Sequence, residues 1–199
     1  MCAQRKTTLR IYPESWIDPC EFKHFFADPE KPLEVDMGSG KGRFLAARAG
    51  RFPDINYLGV ERQLIRVNRS GRKCERAGRE NVRLLRMEGY YTVRYLMPIN
   101  YVSTYYFFFP DPWPKDRHHA HRLFDHNFMD ALHQSLEPGG LLHIATDHLP
   151  YFEDIYQLLL ADKRFCQRAP FMPEEEERTD FELIFSDKKI GRCSFEKRQ

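Results

Sequence analysis

Short apolar runs alternate with amphipathic segments along most of this chain. Five runs have the length and composition of buried strands, and they are residues 33–37, 56–60, 82–87, 105–109 and 141–145. Segments with helical spacing separate or follow them, at residues 43–49, 62–77, from 90 onwards, 123–136 and 151–160. Alternating strands and helices indicate an α/β fold with a doubly wound, mostly parallel sheet that has helices on both faces.

The two ends of the chain depart from this alternation. Residues 181–185 and 190–195 are two apolar runs close together, which predict a closing hairpin-type pair of strands and bring the sheet to seven. Residues 1–32 are irregular, and we interpret them as an N-terminal arm with a short helical piece at 19–26. Residues 33–199 are predicted to form one domain.

A glycine turn follows the first predicted strand. Gly38 and Gly40 allow the backbone to approach a nucleotide-like ligand closely where the strand passes into a helix. The glycines do not complete the dinucleotide fingerprint, and Lys41 is not followed by the Ser or Thr of a phosphate-binding loop. The pattern therefore disfavours a ligand bound through its phosphates.

Acidic residues end the next two predicted strands. Glu61 comes about 20 positions after the glycine turn, where a carboxylate accepts hydrogen bonds from ribose hydroxyls, and Glu88 is placed to hold an adenine edge. Glu34 is a further acid within the first strand. Several acids suit a cationic nucleoside ligand, because a pyrophosphate prefers hydrogen-bond donors. S-adenosyl-L-methionine is such a ligand.

The fourth predicted strand ends abruptly in a proline-rich loop. Prolines at 110, 112 and 114 cannot donate to a sheet ladder, so they leave Asp111, Trp113 and Lys115 at the carboxyl edge of the sheet. Ligands bind at that edge in open α/β sheets. Trp113 either stacks on a base or packs against the prolines. The fifth strand likewise ends in a polar residue, Asp147.

Composition changes this picture only locally. The net charge is +2, yet residues 62–86 hold nine Arg or Lys against two Glu, which suits either a phosphate footprint or a solvated helix face. The five cysteines are scattered without a CxxC pair, which argues against structural zinc and a disulfide framework. With no apolar run of membrane-spanning length and no signal-peptide pattern, we expect a cytoplasmic protein.

Several motifs together resemble the bacterial tRNA (guanine-N7-)-methyltransferases, from about residue 33 to 195. They are residues 34–45, Gly59-Val60-Glu61, Phe108-Phe109-Pro110-Asp111-Pro112-Trp113, Ala145-Thr146-Asp147 and Thr179-Asp180-Phe181-Glu182. The proline-rich element with Ala-Thr-Asp downstream is specific to the family, whereas the glycine loop is shared by most methyltransferases of the fold. The resemblance implies a Rossmann-like methyltransferase that transfers a methyl group from S-adenosyl-L-methionine to N7 of a guanine in the variable loop of tRNA.

The resemblance also assigns site residues. Asp111 matches the residue treated as catalytic, and it also contacts or frames the cofactor together with Glu34, Glu61 and Glu88. The substrate nucleotide is assigned to Lys115, Asp147, Thr179, Asp180, Phe181 and Glu182. The RNA-contacting stretch is assigned to Arg117, His118, His119, His121 and Arg122.

Three positions depart from the family pattern. Glu88 stands where Asp is frequent, Asp180 stands where Lys is common, and residues 117–122 are rich in His where the family is richer in Lys and Arg. The last two changes remove positive charge from the expected RNA face. The histidines lack the Cys or carboxylate pattern of a metal site, so we expect them to face RNA or solvent and expect no metal.

Other functions stay open at this stage. One is a non-catalytic RNA-binding domain that retains the fold, and another is a methyltransferase with a different nucleic-acid or protein acceptor. A nicotinamide-dependent oxidoreductase is disfavoured by the glycine spacing and the proline-rich loop. The oligomeric state, monomer or homodimer, does not follow from the sequence.

Overall fold

The computed structural model describes residues 7–113 and 122–199 of the chain. They form one eight-stranded sheet in the order β1-β4-β3-β2-β5-β6-β8-β7. The strands are β1 Arg10–Ile11, β2 Leu33–Met37, β3 Asn56–Val60, β4 Val82–Leu85, β5 Val102–Phe108, β6 Leu136–Thr146, β7 Phe165–Arg168 and β8 Gly191–Lys197. Strands β1 to β6 pair in parallel, whereas β8 is antiparallel to both β6 and β7.

Helices connect the strands. They are α1 Arg43–Arg51, α2 Leu64–Arg76, α3 Gly89–Tyr91, α4 His126–Ser135, α5 Leu149–Ala161 and α6 Asp180–Ile184. A π-helical stretch, Thr92–Leu96, continues α3, and 3-10 turns occupy Phe22–Phe25 and Glu175–Glu177. Within the described ranges, no helix has the length and apolar character needed to cross a bilayer.

The central strands are apolar because helices cover both faces of the parallel sheet. Every residue of β2 and β3 is buried, as expected where helices cover both sides of a sheet. One core cluster packs α4 against β5, and a second packs α1 and α2 against β3 and β4. The predicted doubly wound, mostly parallel sheet is therefore confirmed.

The predicted count of seven strands is wrong: the sheet has eight, because one predicted strand is a helix and two strands, β1 and β7, were not predicted. Strand β1 comes from the N-terminal arm. Arg10 and Ile11 pair in parallel with Leu84 and Leu85 of β4. Phe22 and other apolar residues of this segment lie in the core. Much of residues 7–32 is thus built into the fold.

The predicted C-terminal hairpin is also wrong. Residues 181–184 belong to α6, whose N-terminus is capped by Thr179. The Thr179 hydroxyl oxygen accepts from the Glu182 amide, and the Glu182 carboxylate accepts from the Thr179 amide. Strand β8 pairs instead with β6 and with β7. Strand β7 escaped prediction because its residues Gln167 and Arg168 are exposed at the edge of the sheet.

The strand order reverses between β2 and β5. Strands β3 and β4 extend the sheet on one side of β2, and β5 and β6 extend it on the other. Such a reversal opens a crevice at the carboxyl ends of the two central strands, which is where open α/β sheets bind ligands.

Candidate active site

A cleft of about 770 Å³ occupies this switch point. The carboxyl ends of β2, β3, β4 and β5 form its floor, and residues from α6 form part of its wall. The predicted site residues that line it are Gly38, Gly40, Glu61, Glu88, Asp111, Thr179, Asp180, Phe181 and Arg122. Its size is within the usual range for small-molecule sites.

The glycine loop brings backbone to the cleft. Gly38, Gly40 and Gly42 all have positive φ angles, of 77°, 54° and 72°. A Cβ atom at Gly38 would meet nothing within 4 Å, so bare backbone faces the cleft there. At Gly42 it would lie 2.1 Å from Ser70 Oγ, so this glycine is needed for close packing of the loop against α2.

A buried carboxylate that the sequence analysis missed lies beside this loop. Asp36 is 3% exposed and lines the cleft, and its Oδ2 atom has no hydrogen-bond partner in the described part of the chain. Burial, aided by the negative charge of Glu61, raises the pKa of Asp36 to about 7. An orphaned buried carboxylate at a cleft is suited to a cationic ligand group.

Glu34, assigned to the cofactor from the sequence, does not line the cleft. The Tyr106 hydroxyl donates to its Oε2 at 2.7 Å, and Arg48 Nε lies 3.8 Å from the same oxygen. Burial raises the pKa of Glu34, against the lowering effects of Tyr106 and Arg48. Residues 34 and 36 share a face of β2, and Asp36, which is nearer the glycine turn, is the one that lines the cleft.

The two predicted strand-end acids do line the cleft. Glu61 Oε1 accepts from the Gln63 amide at 2.7 Å, and its Oε2 lies 3.7 Å from Arg66. Glu88 accepts from the amides of Tyr90 and Tyr91 at 2.9 and 2.8 Å and so caps α3. These bonds fix the direction of both carboxylates while leaving each with lone pairs for a ligand.

The proline-rich loop holds Asp111 between two residues with unusual backbone. Phe109 and Trp113 have φ angles of 55° and 43°, a left-handed conformation that bulky residues rarely adopt. The Phe109 amide donates to the Ala145 carbonyl at 2.7 Å, which ties the loop to β6. Asp111 is exposed on the cleft wall, and Trp113 is half-buried there.

The segment around α6 supplies the opposite wall. Phe181 stacks on Phe109 with ring centroids 5.6 Å apart and an interplanar angle of 12°. Glu182 is buried behind them and pairs with Arg192, so it supports the segment and does not line the cleft. Asp147 is likewise outside the lining and pairs with Lys188 at 2.6 Å.

The predicted RNA-contacting stretch is described only in part. Lys115, Arg117, His118, His119 and His121 lie outside the described residues. Arg122 Nε donates to the Pro112 carbonyl at 2.9 Å, and its Nη1 pairs with Asp154 at 2.6 Å. In this structure Arg122 therefore braces the proline-rich loop.

A buried ion-pair cluster anchors the wall segment to α1. Arg48 Nη1 lies 3.2 Å from Glu177 Oε1, and Arg51 Nη1 lies 3.7 Å from Glu177 Oε2. Arg43 Nε donates to the Arg178 carbonyl at 2.8 Å. The acidic run 174–177 gave no sign of this role, because its partners are more than 120 residues away in the chain.

Comparison with known proteins identifies relatives over most of the chain. The model of a family described as putative methyltransferase matches residues 30–186. A tRNA (guanine-N(7)-)-methyltransferase of Halorhodospira halophila is 39% identical over 156 residues, which are 76% of this chain and 68% of the relative. One from Streptococcus thermophilus is 39% identical over 166 residues, which are 80% of this chain and 76% of the relative.

Solved structures with low sequence identity share the fold. An rRNA methylase from Streptococcus thermophilus has a TM-score of 0.56 at 17% identity, over 85% of this chain and 89% of that protein. TrmN from Thermus thermophilus has a TM-score of 0.59 at 16% identity, over 84% of this chain and 45% of that protein.

Proposed function

The chain belongs to the tRNA (guanine-N7-)-methyltransferase family, and we propose that its switch-point cleft methylates N7 of a guanine in the variable loop of tRNA. The reaction of this enzyme family is S-adenosylmethionine-dependent methylation of a tRNA guanine. The orphaned Asp36 carboxylate beside the glycine loop is the observation that carries the assignment of the cleft. We place the enzyme with its substrate in the cytoplasm.

The residues of the cleft fit S-adenosylmethionine, which supplies an electrophilic methyl group on a sulfonium. Asp36 would hold the cationic amino-acid end beside the bare backbone of Gly38 and Gly40. Glu61 would accept from the ribose hydroxyls and Glu88 from the adenine amino group, as their positions at the strand ends favour. Three carboxylates around one cleft also suit the positive charge of the ligand.

Guanine N7 carries an in-plane lone pair and no proton, so attack on the methyl group requires no general base. The protein then contributes proximity, alignment and a field that tolerates positive charge on the purine. We assign Asp111 to the N1 and N2 donor edge of the guanine and to this charge. Thr179, Asp180 and Phe181 would contact the nucleotide, and Glu182 would act by holding Thr179. Lys115 and Asp147 stay assigned to the substrate by the resemblance alone.

Cofactor affinity is expected to depend on pH through Asp36. The pKa of this carboxyl is raised to about 7, so ionisation between pH 6 and 8 creates the form that attracts a cation. Affinity for S-adenosylhomocysteine, which retains the amino group, should therefore rise about tenfold over that range, in proportion to the ionised fraction. Calorimetric titrations at several pH values measure this rise.

The Asp36→Asn variant provides the comparison for that profile. It should bind S-adenosylhomocysteine more weakly at pH 8, with an affinity that no longer changes between pH 6 and 8. Asp187→Asn, at an exposed position outside the cleft lining, should keep the original profile. The same pH dependence in Asp36→Asn would contradict the role assigned to this carboxylate.

Methyl transfer to unmodified tRNA tests the proposed function directly. The full chain is incubated with tRNA and methyl-labelled S-adenosylmethionine, and the product is cleaved chemically at 7-methylguanine. Label and cleavage at one guanine of the variable loop are expected. Label at another position would overturn the proposed target, and cofactor binding without any label would favour an RNA-binding domain or a different acceptor.

A further inference from the structure

One face of α2 and the residues just before it form a line of cations. The line begins at Arg62, two residues before α2, and continues with Arg66, Arg69, Lys73 and Arg76. The last four are separated by three, four and three residues, which places them on one side of the helix. We call these five residues the α2 basic stripe. We propose that the α2 basic stripe binds backbone phosphates of the tRNA beside its target guanosine, an inference that rests on the proposed tRNA substrate.

The stripe is available for a ligand. Arg62, Arg69 and Arg76 are exposed, and Arg66 and Lys73 are half-buried. Within residues 7–113 and 122–199, Arg66 is the member that makes an ion pair, at 3.7 Å from Glu61. Burial lowers the pKa of Lys73, and the negative charge of Asp180, which lies outside the helix, opposes this effect.

The acidic residue of α2, Glu75, contacts the N-terminal segment of the chain. Glu75 Oε1 accepts from the Thr7 hydroxyl at 2.7 Å, the Thr8 amide at 2.7 Å and the Thr8 hydroxyl at 2.9 Å. This carboxylate therefore holds the N-terminal segment against the helix. It does not interrupt the line of cations, since position 75 is outside the spacing of the stripe.

Other basic residues of the same segment serve the fold. Arg79 Nε donates to the Ala46 carbonyl at 3.0 Å, and Arg83 Nε donates to the Phe25 carbonyl at 2.7 Å. Arg79 and Arg83 of the basic segment are thus used within the fold, whereas the stripe lies on the face of α2 opposite its buried residues. The stripe favours a phosphate footprint over a merely solvated face, because its cations follow one line and, within the described ranges, Arg66 is the member with an ion-pair partner, while Arg76 Nε donates to the Arg72 carbonyl at 3.1 Å.

One end of the α2 basic stripe lies at the cleft. Arg62 and Arg66 line the cleft together with Lys41 and Arg43, and the helix runs from there towards the amino edge of the sheet. At 1.5 Å per residue, the helical part of the stripe from Arg66 to Arg76 is about 15 Å long, and Arg62 extends it further, which is enough for several phosphates. A polyanion along this line would have one end at the cofactor cleft, which is the geometry that delivery of a guanine requires.

A double variant outside the cleft tests the proposal. Arg69→Gln with Arg76→Gln removes two exposed cations and keeps good helix formers. Binding of unmodified tRNA is followed by fluorescence anisotropy between 50 and 300 mM salt. Each lost phosphate contact should lower the slope of log affinity against log salt by about 0.7–0.9, so the double variant should lose about 1.5 and bind on the order of tenfold more weakly at 100 mM.

The matched control is Lys163→Gln with Arg198→Gln, two exposed cations at the amino edge of the sheet near β7 and β8. The control should keep both affinity and salt slope, and both doubles should keep S-adenosylhomocysteine binding and the single-turnover rate at saturating tRNA. Equal affinities and equal salt slopes for the two double variants would overturn the proposed role of the α2 basic stripe. Methylation of tRNA by the unaltered chain would in that case still support the proposed function. Failure of the unaltered chain to methylate tRNA would instead overturn that function.

Discussion

The Asp111→Asn variant should lose roughly 10²–10³-fold in the rate of methyl transfer while it keeps its affinity for S-adenosylhomocysteine. Asp111 is exposed on the cleft wall, and two residues with left-handed backbone flank its loop. In the proposed mechanism, this carboxylate would orient the guanine through its donor edge and balance the positive charge that moves onto the purine. The amide keeps the size of the side chain but presents one acceptor and no charge.

Single-turnover measurements with saturating tRNA and labelled cofactor give this rate, and calorimetry gives the affinity. Glu88→Gln is the comparison, because Glu88 lines the cleft from the end of β4, where we assign the adenine. It should weaken cofactor binding and retain the rate at saturation. An Asp111→Asn rate within threefold of the original would refute the assignment of Asp111 to the guanine.

The parts of the fold that followed from the sequence are those where local pattern and burial agree. Strands β2 and β3 coincide with their predicted bounds because they are buried on both faces and appear as uninterrupted apolar runs. Strand β5 ends just before the prolines that follow Phe109, because proline has no N–H to donate to the sheet. Polar residues at these strand ends could therefore be assigned to one edge of the sheet.

The errors arose where a second signal competed with apolarity. Residues 181–184 look like a strand, but the capping pair Thr179 and Glu182 begins a helix there, and Ile184 is 67% exposed. The sequence also does not distinguish Asp36 from Glu34 as the acid at the cleft, because both are acids on the same face of β2. Arg48 and Tyr106, which are distant in the chain, contact Glu34, and the sequence does not show this.

The Arg48→Met variant should lower the free energy of unfolding by about 3–5 kcal/mol at pH 7. The Arg48 side chain is 15% exposed and lies between the carboxylates of Glu34 and Glu177, whose side chains are 8% and 3% exposed. Methionine keeps an apolar side chain there, but it removes the guanidinium that lies 4.1 Å from the centre of the Phe52 ring and leaves one carboxylate without its main counter-ion. A buried charge without a partner costs far more than a surface pair contributes.

Urea unfolding at pH 7 and pH 5 measures the loss and its cause. Burial already raises the folded-state pKa of Glu34 above its usual value, and removal of Arg48 should raise it further. A group with a raised folded-state pKa favours folding at low pH and loses that contribution as pH rises through the folded-state value. The deficit of Arg48→Met should therefore shrink at pH 5, whereas a deficit caused by lost packing would stay constant.

Arg51→Met is the matched control, since Arg51 is on the same helix and contacts the same segment. Its side chain is 45% exposed and pairs at 2.9 Å with Glu174, which is 59% exposed, while its contact with the buried Glu177 is longer, at 3.7 Å. Glu177 also keeps Arg48 at 3.2 Å in this variant, so the change should cost about 1 kcal/mol, well below the cost of Arg48→Met. Because Glu177 anchors the segment that carries Thr179 and Phe181 into the cleft, Arg48→Met should also raise KM for tRNA at temperatures where it remains folded. Equal stabilities and equal KM values for the two variants would show that the buried cluster is not what positions this wall of the active site.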